Sequence, residues 1–223
     1  MLRKAVLAAA AAAAVGVTGS AAASRPTVAQ IKAAIATQSD NFVLANAYSF
    51  GGAAPGHGWL NLKIGGGRWV SANGKLVTLQ SVTLDPRDPA LADVTETEIN
   101  YTTRTWSRTK RQEPAKITHF HGIDPLATGQ QGVQFRLLGV ESVDGEQTYH
   151  LRSTYFPYSG NEMASLDVWL KTDRYYLIRL IRTTRGGKVI QRVDNHWLPR
   201  TSANLALLRS AIPSGFKQVS VSP

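Results

Sequence analysis

Apolar side chains near the start of the chain recur at the spacing of one helical face, in the segment RPTVAQIKAAIATQSDNFV. The positions that follow steps of three and four residues are Val28, Ile31, Ile35, Gln38 and Phe42. This periodicity predicts an amphipathic helix. Thr27, followed three residues later by Gln30, is the signature of a capping box. We therefore expect the helix to begin at Thr27.

Farther along, the pattern changes to the short apolar and polar alternations of β-strands, rich in β-branched and aromatic residues. The segments with this pattern are GWLNLKI, RWVSANGKLVTLQSVTL, TEINYTTRTWSR, VQFRLLGVESVDGEQTYHLRSTYF and ASLDVWLKTDRYYLIRLIRTTRGGKVIQRVDNHWL. The pairs Asn73-Gly74, Asp144-Gly145 and Gly186-Gly187 are favoured in two-residue hairpin loops. Consecutive hairpins predict an antiparallel meander.

Alternation within the later strands predicts that the sheet has one apolar face. The positions assigned to that face are Tyr149, Leu151, Leu166, Val168, Leu170, Tyr176, Ile178, Leu180, Val189, Val193 and Trp197. Side chains such as His150, Asp167 and Trp169 fall between them and point the other way. An apolar sheet face needs a covering element, and the strands themselves do not supply one.

The stretch WLPRTSANLALLRSAIPSGF, close to the end of the chain, supplies a candidate cover. Thr201 or Ser202 can cap a short helix, and Leu205 and Leu208 follow helical spacing. The turn formers Pro213 and Gly215 then allow Phe216 and Val219 to add a final short strand. We expect this helix to form a lid on the concave face of the sheet.

The first 23 residues match a secretory signal peptide. Arg3 and Lys4 precede an apolar run from Ala5 to Val17, and small residues continue to Ala23. The run is shorter than the roughly 20 residues of a bilayer span, so we expect cleavage after Ala23; a retained anchor is the alternative. The remainder, 24–223, is predicted to be a single domain. Because the chain has no cysteine, neither disulfides nor a lipid anchor on cysteine is expected.

The net charge is +10, and it is +8 without Arg3 and Lys4, with 23 basic and 15 acidic side chains remaining. A basic surface favours anionic partners. The segment YTTRTWSRTKRQEPAK mixes aromatic residues with cations, of which we take Arg104, Arg108, Lys110 and Arg111 as candidates for an anionic surface. Export disfavours nucleic acid, which leaves anionic lipid or a wall polymer. The alternative is an edge strand kept soluble by its charges.

Catalytic signatures are absent from the sequence: it contains no HExxH, no GxSxG and no phosphate-binding glycine loop. His119 and His121 straddle Phe120 and would share a face of an extended backbone. Two ligands without an assignable third favour a solvated pair over a metal site. We therefore expect a non-enzymatic, monomeric protein with no cofactor and no metal.

The signal peptide, the N-terminal helix, the meander and the segments GVESVDGEQTYHL, LDVWLKTDRYYLIRL and AIPSGF together resemble exported proteins with the LolA-like fold. That family includes lipoprotein carriers, regulators of the RseB type and lipoproteins of the LppX and LprG type. The alanine-rich, basic and cysteine-free chain also resembles secreted proteins of actinobacteria. The resemblance implies an α+β fold: a strongly curved antiparallel sheet, or half β-barrel, wrapped around the N-terminal helix and the short C-terminal helix.

The resemblance further implies an apolar cavity for acyl chains between sheet and helices. Our candidates for this cavity are Trp59, Trp69, Tyr149, Leu151, Val168, Leu170, Ile178, Leu180, Leu205 and Leu208. The expected function is an extracytoplasmic carrier or envelope sensor whose partner is a lipid or an acylated protein, at a membrane surface or with a membrane-bound partner. An RseB-type regulator of a membrane-bound signalling partner is the alternative. An envelope hydrolase using His119 and His121 is the third hypothesis.

Overall fold

The computed structural model describes residues 25–38, 41–63, 65–115, 125–126, 133–153 and 163–220. These form one large sheet with two short helices. The helices are α1 (Val28–Ile35) and α2 (Ser202–Ala206). The strands are β1 (Phe42–Phe50), β2 (Gly56–Asn61), β3 (Gly67–Val70), β4 (Leu76–Leu84), β5 (Leu91–Asn100), β6 (Thr105–Pro114), β7 (Phe135–Val143), β8 (Glu146–Ser153), β9 (Met163–Lys171), β10 (Leu177–Thr184), β11 (Val189–Pro199) and β12 (Lys217–Gln218).

The strand order is β12-β6-β5-β4-β3-β2-β1-β11-β10-β9-β8-β7. All neighbouring pairs are antiparallel except β12, which runs parallel to β6. The predicted antiparallel meander is therefore confirmed. The sheet is open, since its end strands β12 and β7 do not pair with each other in the described part of the chain. The predicted signal peptide lies outside the described residues.

Hairpin turns follow the local sequence closely. Asp144 and Gly145, with φ of 51° and 83°, form the two-residue turn between β7 and β8. Positive φ at both central positions is what the favoured hairpin turn requires. Gly74 and Gly187 also have positive φ at the predicted turns. Arg104, with φ of 54°, lies in a turn that divides TEINYTTRTWSR between β5 and β6.

Helix α1 begins where the capping box predicts. The Gln30 N–H donates to Thr27 Oγ1 at 3.2 Å, and the Thr27 N–H donates to Gln30 Oε1 at 2.8 Å. The helix buries Ile31 and Ile35 and then ends. Phe42, which the helical spacing had included, is instead the first residue of β1.

The register of the strands defines two faces that can be followed across the sheet. We call the α1 face the one on which the paired residues Trp197, Leu44 and Leu60 lie, because Trp197 packs against the α1 core. The opposite face carries the next residue of each strand, through the pairs of Trp59 with Arg68 and of Arg68 with Leu79. Paired residues of an antiparallel ladder share a face, so this assignment extends to β6.

The main core lies between α1 and strands β7 to β10. Its buried residues are Ile31, Ile35, Leu126, Phe135, Leu151, Leu166, Val168, Leu170 and Leu177. A smaller cluster of Leu44, Leu60 and Leu62 continues along the α1 face, with Trp69 and Trp197 packed against it. Helix α1 therefore covers the predicted apolar face over one half of the sheet.

A β-bulge in β10 changes the predicted alternation. Leu177 pairs with Leu170, but Arg179 pairs with Trp169, so Ile178 is an extra residue between them. The bulge shifts the strand by one position, which moves side chains to the other face. Leu180 then returns to the α1 face opposite Val168, whereas Ile178 does not pair there. The expected common face of Ile178 and Leu180 is therefore not formed.

The C-terminal segment lies on the opposite face from α1. Thr201 caps α2, as its Oγ1 accepts from the Asn204 N–H at 3.2 Å. Residue 207 then contacts the sheet, where Arg68 Nη1 donates to the Leu207 carbonyl at 3.5 Å. Since Arg68 belongs to the opposite face, this segment does not share the face that α1 covers. The predicted wrapping of one concave face around both helices is not seen among the described residues.

Candidate functional site

A concavity lined by aromatic residues lies at one end of the sheet, where β1 and β10 begin and β9 and β11 end. We call it the aromatic cavity; its volume is about 440 Å³. Its lining residues are Phe42, Asp144, Glu146, Lys171, Asp173, Arg174, Tyr176, Ile178, Asn195, His196, Trp197 and Leu198. The volume falls within the roughly 300–1,000 Å³ of small-molecule sites.

Three aromatic rings form the apolar wall. Tyr176 stacks on Trp197 with ring centroids 4.3 Å apart. Phe42 meets both rings edge-on, at 5.2 Å from Tyr176 and 5.9 Å from Trp197. Trp197 is fixed further because its Nε1–H donates to the Leu177 carbonyl at 2.9 Å. The wall is therefore rigid, since each ring is held by contacts on more than one side.

A buried amide without a hydrogen-bond partner lies in this lining. Asn195 is only 2% exposed, and its Nδ2 has no hydrogen-bond partner in the described part of the chain. Asn46, which pairs with Asn195 across β1 and β11, likewise has an unpartnered buried Oδ1, but it does not line the cavity. Buried polar groups are almost always bonded, so an unpartnered donor in a cavity wall is a candidate ligand contact.

Charged side chains surround the mouth of the aromatic cavity. Lys171 Nζ lies 2.8 Å from Glu146 Oε2, and Arg174 Nε lies 3.8 Å from Asp173 Oδ2. The segment that follows α1 reaches this rim through Gln38, whose Nε2 donates to the Arg174 carbonyl at 3.1 Å. The cavity thus combines an aromatic wall with an ionic mouth, an arrangement suited to an amphiphile.

An arginine and aspartate network lies beside the cavity. Arg179 bridges Asp144 and Asp194, donating to Asp144 Oδ2 through Nη2 at 2.8 Å and to Asp194 through Nε. Arg192 Nε also donates to Asp194, at 2.6 Å. Burial alone would raise the pKa of Asp194, but the hydrogen bonds and charges of Arg192 and Arg179 outweigh it, so the pKa lies below its usual value.

Replacing Asp194 with asparagine should therefore remove a pH-dependent part of the stability. A carboxyl whose pKa is lowered by folding stabilises the protein above its unfolded pKa of about 3.9, and that contribution disappears as the pH falls through the folded pKa. Urea unfolding of both proteins at pH 7 and at pH 2.5 checks this. We expect the variant to be less stable at pH 7 and the difference to shrink at pH 2.5. An equal difference at both values would contradict the assignment.

The predicted cavity residues do not converge on one space. Five of them pack in or against the α1 core: Tyr149, Leu151, Val168, Leu170 and Leu180. Ile178 alone among the ten lines the aromatic cavity, because the bulge turns it away from Leu180. Trp69 packs beside Leu44 and Leu60 on the α1 face.

The remaining candidates lie elsewhere. Trp59 is on the opposite face, with the Arg68 guanidinium carbon 5.1 Å from its ring centroid. Leu205 is half-buried in α2, and Leu208 lines a groove with Arg108 and Lys110. The structure therefore joins part of the predicted lid to part of the predicted anionic surface.

The four candidate cations are also separated. Arg108 and Lys110 point to the opposite face of β6. Arg111 points to the α1 face, where it pairs with Glu96 at 3.6 Å and Glu113 at 2.6 Å. Arg104 lies in the turn before β6, and its carbonyl accepts from the Lys217 N–H at 3.1 Å.

His119 and His121 lie outside the described residues. Within the described ranges, no group of three or more histidine, cysteine, aspartate or glutamate side chains could hold a metal ion. In the same part of the chain, no helix has the length and apolarity needed to span a membrane.

Sequence reasoning missed most of the aromatic cavity. Phe42 had been assigned to the helix, and Tyr176 and Trp197 only to an apolar strand face. Nothing in the sequence marks Asn195 as a binding residue, because a single asparagine does not indicate a ligand contact by itself. In the structure, Phe42 begins β1, Tyr176 directly precedes β10, and Trp197 lies near the end of β11.

Comparisons with known proteins find similar solved structures at low sequence identity. No family model and no curated protein matches the chain. An uncharacterized conserved protein from Thermus thermophilus is 13% identical, covering 86% of this chain and 98% of its own, with a TM-score of 0.42. LppX of Mycobacterium tuberculosis is 15% identical, covering 77% and 96%, with a TM-score of 0.36.

MucB in the Pseudomonas aeruginosa MucA/MucB complex is 12% identical over 81% of this chain, with a TM-score of 0.38, and this chain spans 59% of that one. A LolA superfamily protein from Nitrosomonas europaea and a putative outer membrane lipoprotein-sorting protein domain from Vibrio parahaemolyticus are also matched. The solved structures thus include the three kinds of protein that the sequence resembles. At these identities and TM-scores they assign neither a ligand nor a partner to this chain.

Proposed function

We propose that this protein is an exported, non-enzymatic binding protein that holds the acyl chain of a lipid or acylated protein in the aromatic cavity. The aromatic wall formed by Phe42, Tyr176 and Trp197 carries the proposal. Asn195 lies in the same lining, and we propose that its unpartnered Nδ2 donates to an ester or carboxyl oxygen at the head of the acyl chain when the ligand enters.

The rest of the cavity fits the same ligand. Phe42, Tyr176 and Trp197 offer apolar surface to methylene groups, each of which contributes about 0.8 kcal/mol when it leaves water. The ionic mouth of Lys171 and Arg174 with their acidic partners remains in contact with water. It is suited to the polar head of the ligand.

Native mass spectrometry of the purified protein and titration with cis-parinaric acid, a fluorescent fatty acid, test the proposal. We expect co-purified lipid or saturable binding of the probe. A protein that is consistently empty and binds no probe would exclude the carrier function. Co-purification of a membrane protein in place of lipid would instead support the RseB-type regulator.

The variant Asn195→Leu sharpens this test. Loss of a hydrogen bond to a charged carboxylate should weaken probe binding about tenfold. Stability should be kept or raised, because the variant removes an unpartnered buried donor. Asn46→Leu is the matched control, since Asn46 faces Asn195 in the ladder but lies outside the lining. Equal probe affinity in both variants and the parent would contradict a role for Asn195.

A further inference from the structure

The opposite face of β4, β5 and β6 carries cations and hydroxyl groups in register. One row across the three strands is Leu79, Thr97 and Arg108; the next is Ser81, Thr95 and Lys110. Alternate residues of a strand are about 7 Å apart, so the two cations stand in neighbouring rows. We call the concavity over these rows the basic groove; its volume is about 520 Å³.

The C-terminal segment forms the second wall of the basic groove. Leu208, Arg209 and Ser210 face the strand hydroxyls there. The segment is held in place because Arg68 donates to the Leu207 carbonyl, while the Arg68 guanidinium itself lies over Trp59. This contact helps to hold a third cation, Arg209, beside strand residues that lie far from it in the sequence.

The cations of the groove are not neutralised within the described residues. No carboxylate there lies within 4.0 Å of Arg108, Lys110 or Arg209. Arg108 donates through Nε to Thr97 Oγ1 at 3.1 Å and lies 5.3 Å from the Trp106 ring centroid. These contacts orient its guanidinium and leave its two terminal nitrogens for another acceptor.

Along the strands, the side chains of the groove change from positively charged to negatively charged. Beyond Lys110 a second depression of about 570 Å³ continues past Thr83 and Gln112 to Asp93. Gln112 Nε2 donates to Asp85 Oδ2 at 3.1 Å, so a second carboxylate lies at that end. An anionic group is therefore attracted to the rows of Arg108 and Lys110 and repelled from the row of Asp93.

We propose that the basic groove binds a soluble polyol-phosphate chain, with phosphate oxygens on Arg108, Lys110 and Arg209 and polyol hydroxyls on Ser81, Thr95 and Thr97. Guanidinium groups bind phosphate oxygens in a fixed fork, and hydroxyls both donate and accept. Single-stranded nucleic acid is bound largely by stacking of bases on aromatic rings. Among the described residues that line the basic groove, none is aromatic, and the nearby Trp106 already has Arg108 against its ring.

Binding of a fluorescent glycerol phosphate oligomer, measured by anisotropy between 50 and 200 mM salt, tests this site. Three comparison probes are measured under the same conditions: inorganic polyphosphate, a single-stranded DNA of equal charge, and anionic phospholipid vesicles. We expect the glycerol phosphate oligomer to bind most tightly. Equal or tighter binding of polyphosphate, DNA or vesicles would overturn recognition of the polyol.

Variants separate the charge from the hydroxyl contribution. Arg108→Gln with Lys110→Gln should weaken the oligomer at least tenfold and reduce the slope of affinity against salt by about one to two. Arg111→Gln is the control for the loss of a single positive charge, because Arg111 pairs with Glu96 and Glu113 on the other face of β6 and does not line the basic groove. Thr95→Val should weaken the oligomer and leave polyphosphate binding unchanged. If Arg111→Gln weakened binding of the oligomer as much as the double variant, binding would depend on net charge alone, and the proposal would be overturned.

Discussion

Leu151→Ala is expected to lower the free energy of unfolding by about 2–5 kcal/mol, the usual cost of a cavity left by a buried leucine. Leu151 is 0% exposed and lies in the core with Ile31 and Val168. The sequence had assigned it to a ligand cavity. If it were a cavity wall, its truncation would change the affinity for an acyl probe more than the stability. The structure predicts the reverse.

Val140→Ala is the matched control for this substitution. Val140 lies on the neighbouring strand β7, where it pairs with Tyr149 of β8, but it is 45% exposed. Its truncation should therefore change the stability by no more than about 0.5 kcal/mol. Urea unfolding measures both variants, and cis-parinaric acid titration measures their binding. A Leu151→Ala protein of parental stability that has lost the probe would contradict the assignment of Leu151 to the core.

Features set by neighbouring residues were predictable from the sequence. The capping box of Thr27 and Gln30 satisfies two backbone donors through side chains three residues apart, so it needs no distant contact. The Asp144-Gly145 turn depends on which residues tolerate positive φ. The meander followed from these turns, because each hairpin places one strand beside the next.

Features set by distant residues were not predictable. The bulge at Ile178 is an offset between β9 and β10, and nothing in the local alternation marks it. The face contacted by the C-terminal segment depends on Arg68, which lies more than a hundred residues earlier and shows no sign of that contact in its own sequence context. A short amphipathic helix indicates that one of its sides is covered, but it does not select a sheet face.

The sequence does not indicate where the aromatic cavity lies or which residues meet in its wall. The wall of the cavity combines Phe42 with Tyr176 and Trp197, which are far from Phe42 in the sequence. Only the strand order β1-β11-β10 brings them together. The unpartnered state of Asn195 is likewise a property of its surroundings and not of its residue type.

A second large effect is expected on the opposite face of β7, β8 and β9. Asp167 is buried and accepts from Arg152 Nε at 2.7 Å, and its Oδ1 lies 2.6 Å from His150 Nε2. His150 Nδ1 also lies 2.8 Å from Glu141 Oε1, and its ring stacks on Trp169 at 4.3 Å. One carboxylate thus ties together side chains of two strands, and the imidazole extends the network to the edge strand β7.

Asp167→Ala should therefore lower the free energy of unfolding by about 2–3 kcal/mol, because it leaves the largely buried His150 Nε2–H without its acceptor. Arg152 is half-exposed, so water replaces part of its lost bond. Asp173→Ala is the control, since Asp173 is exposed and 3.8 Å from Arg174, and it should change the stability by no more than about 0.5 kcal/mol. Urea unfolding at pH 7 distinguishes the two. Equal effects would mean that the network around Asp167 is no stronger than a surface ion pair.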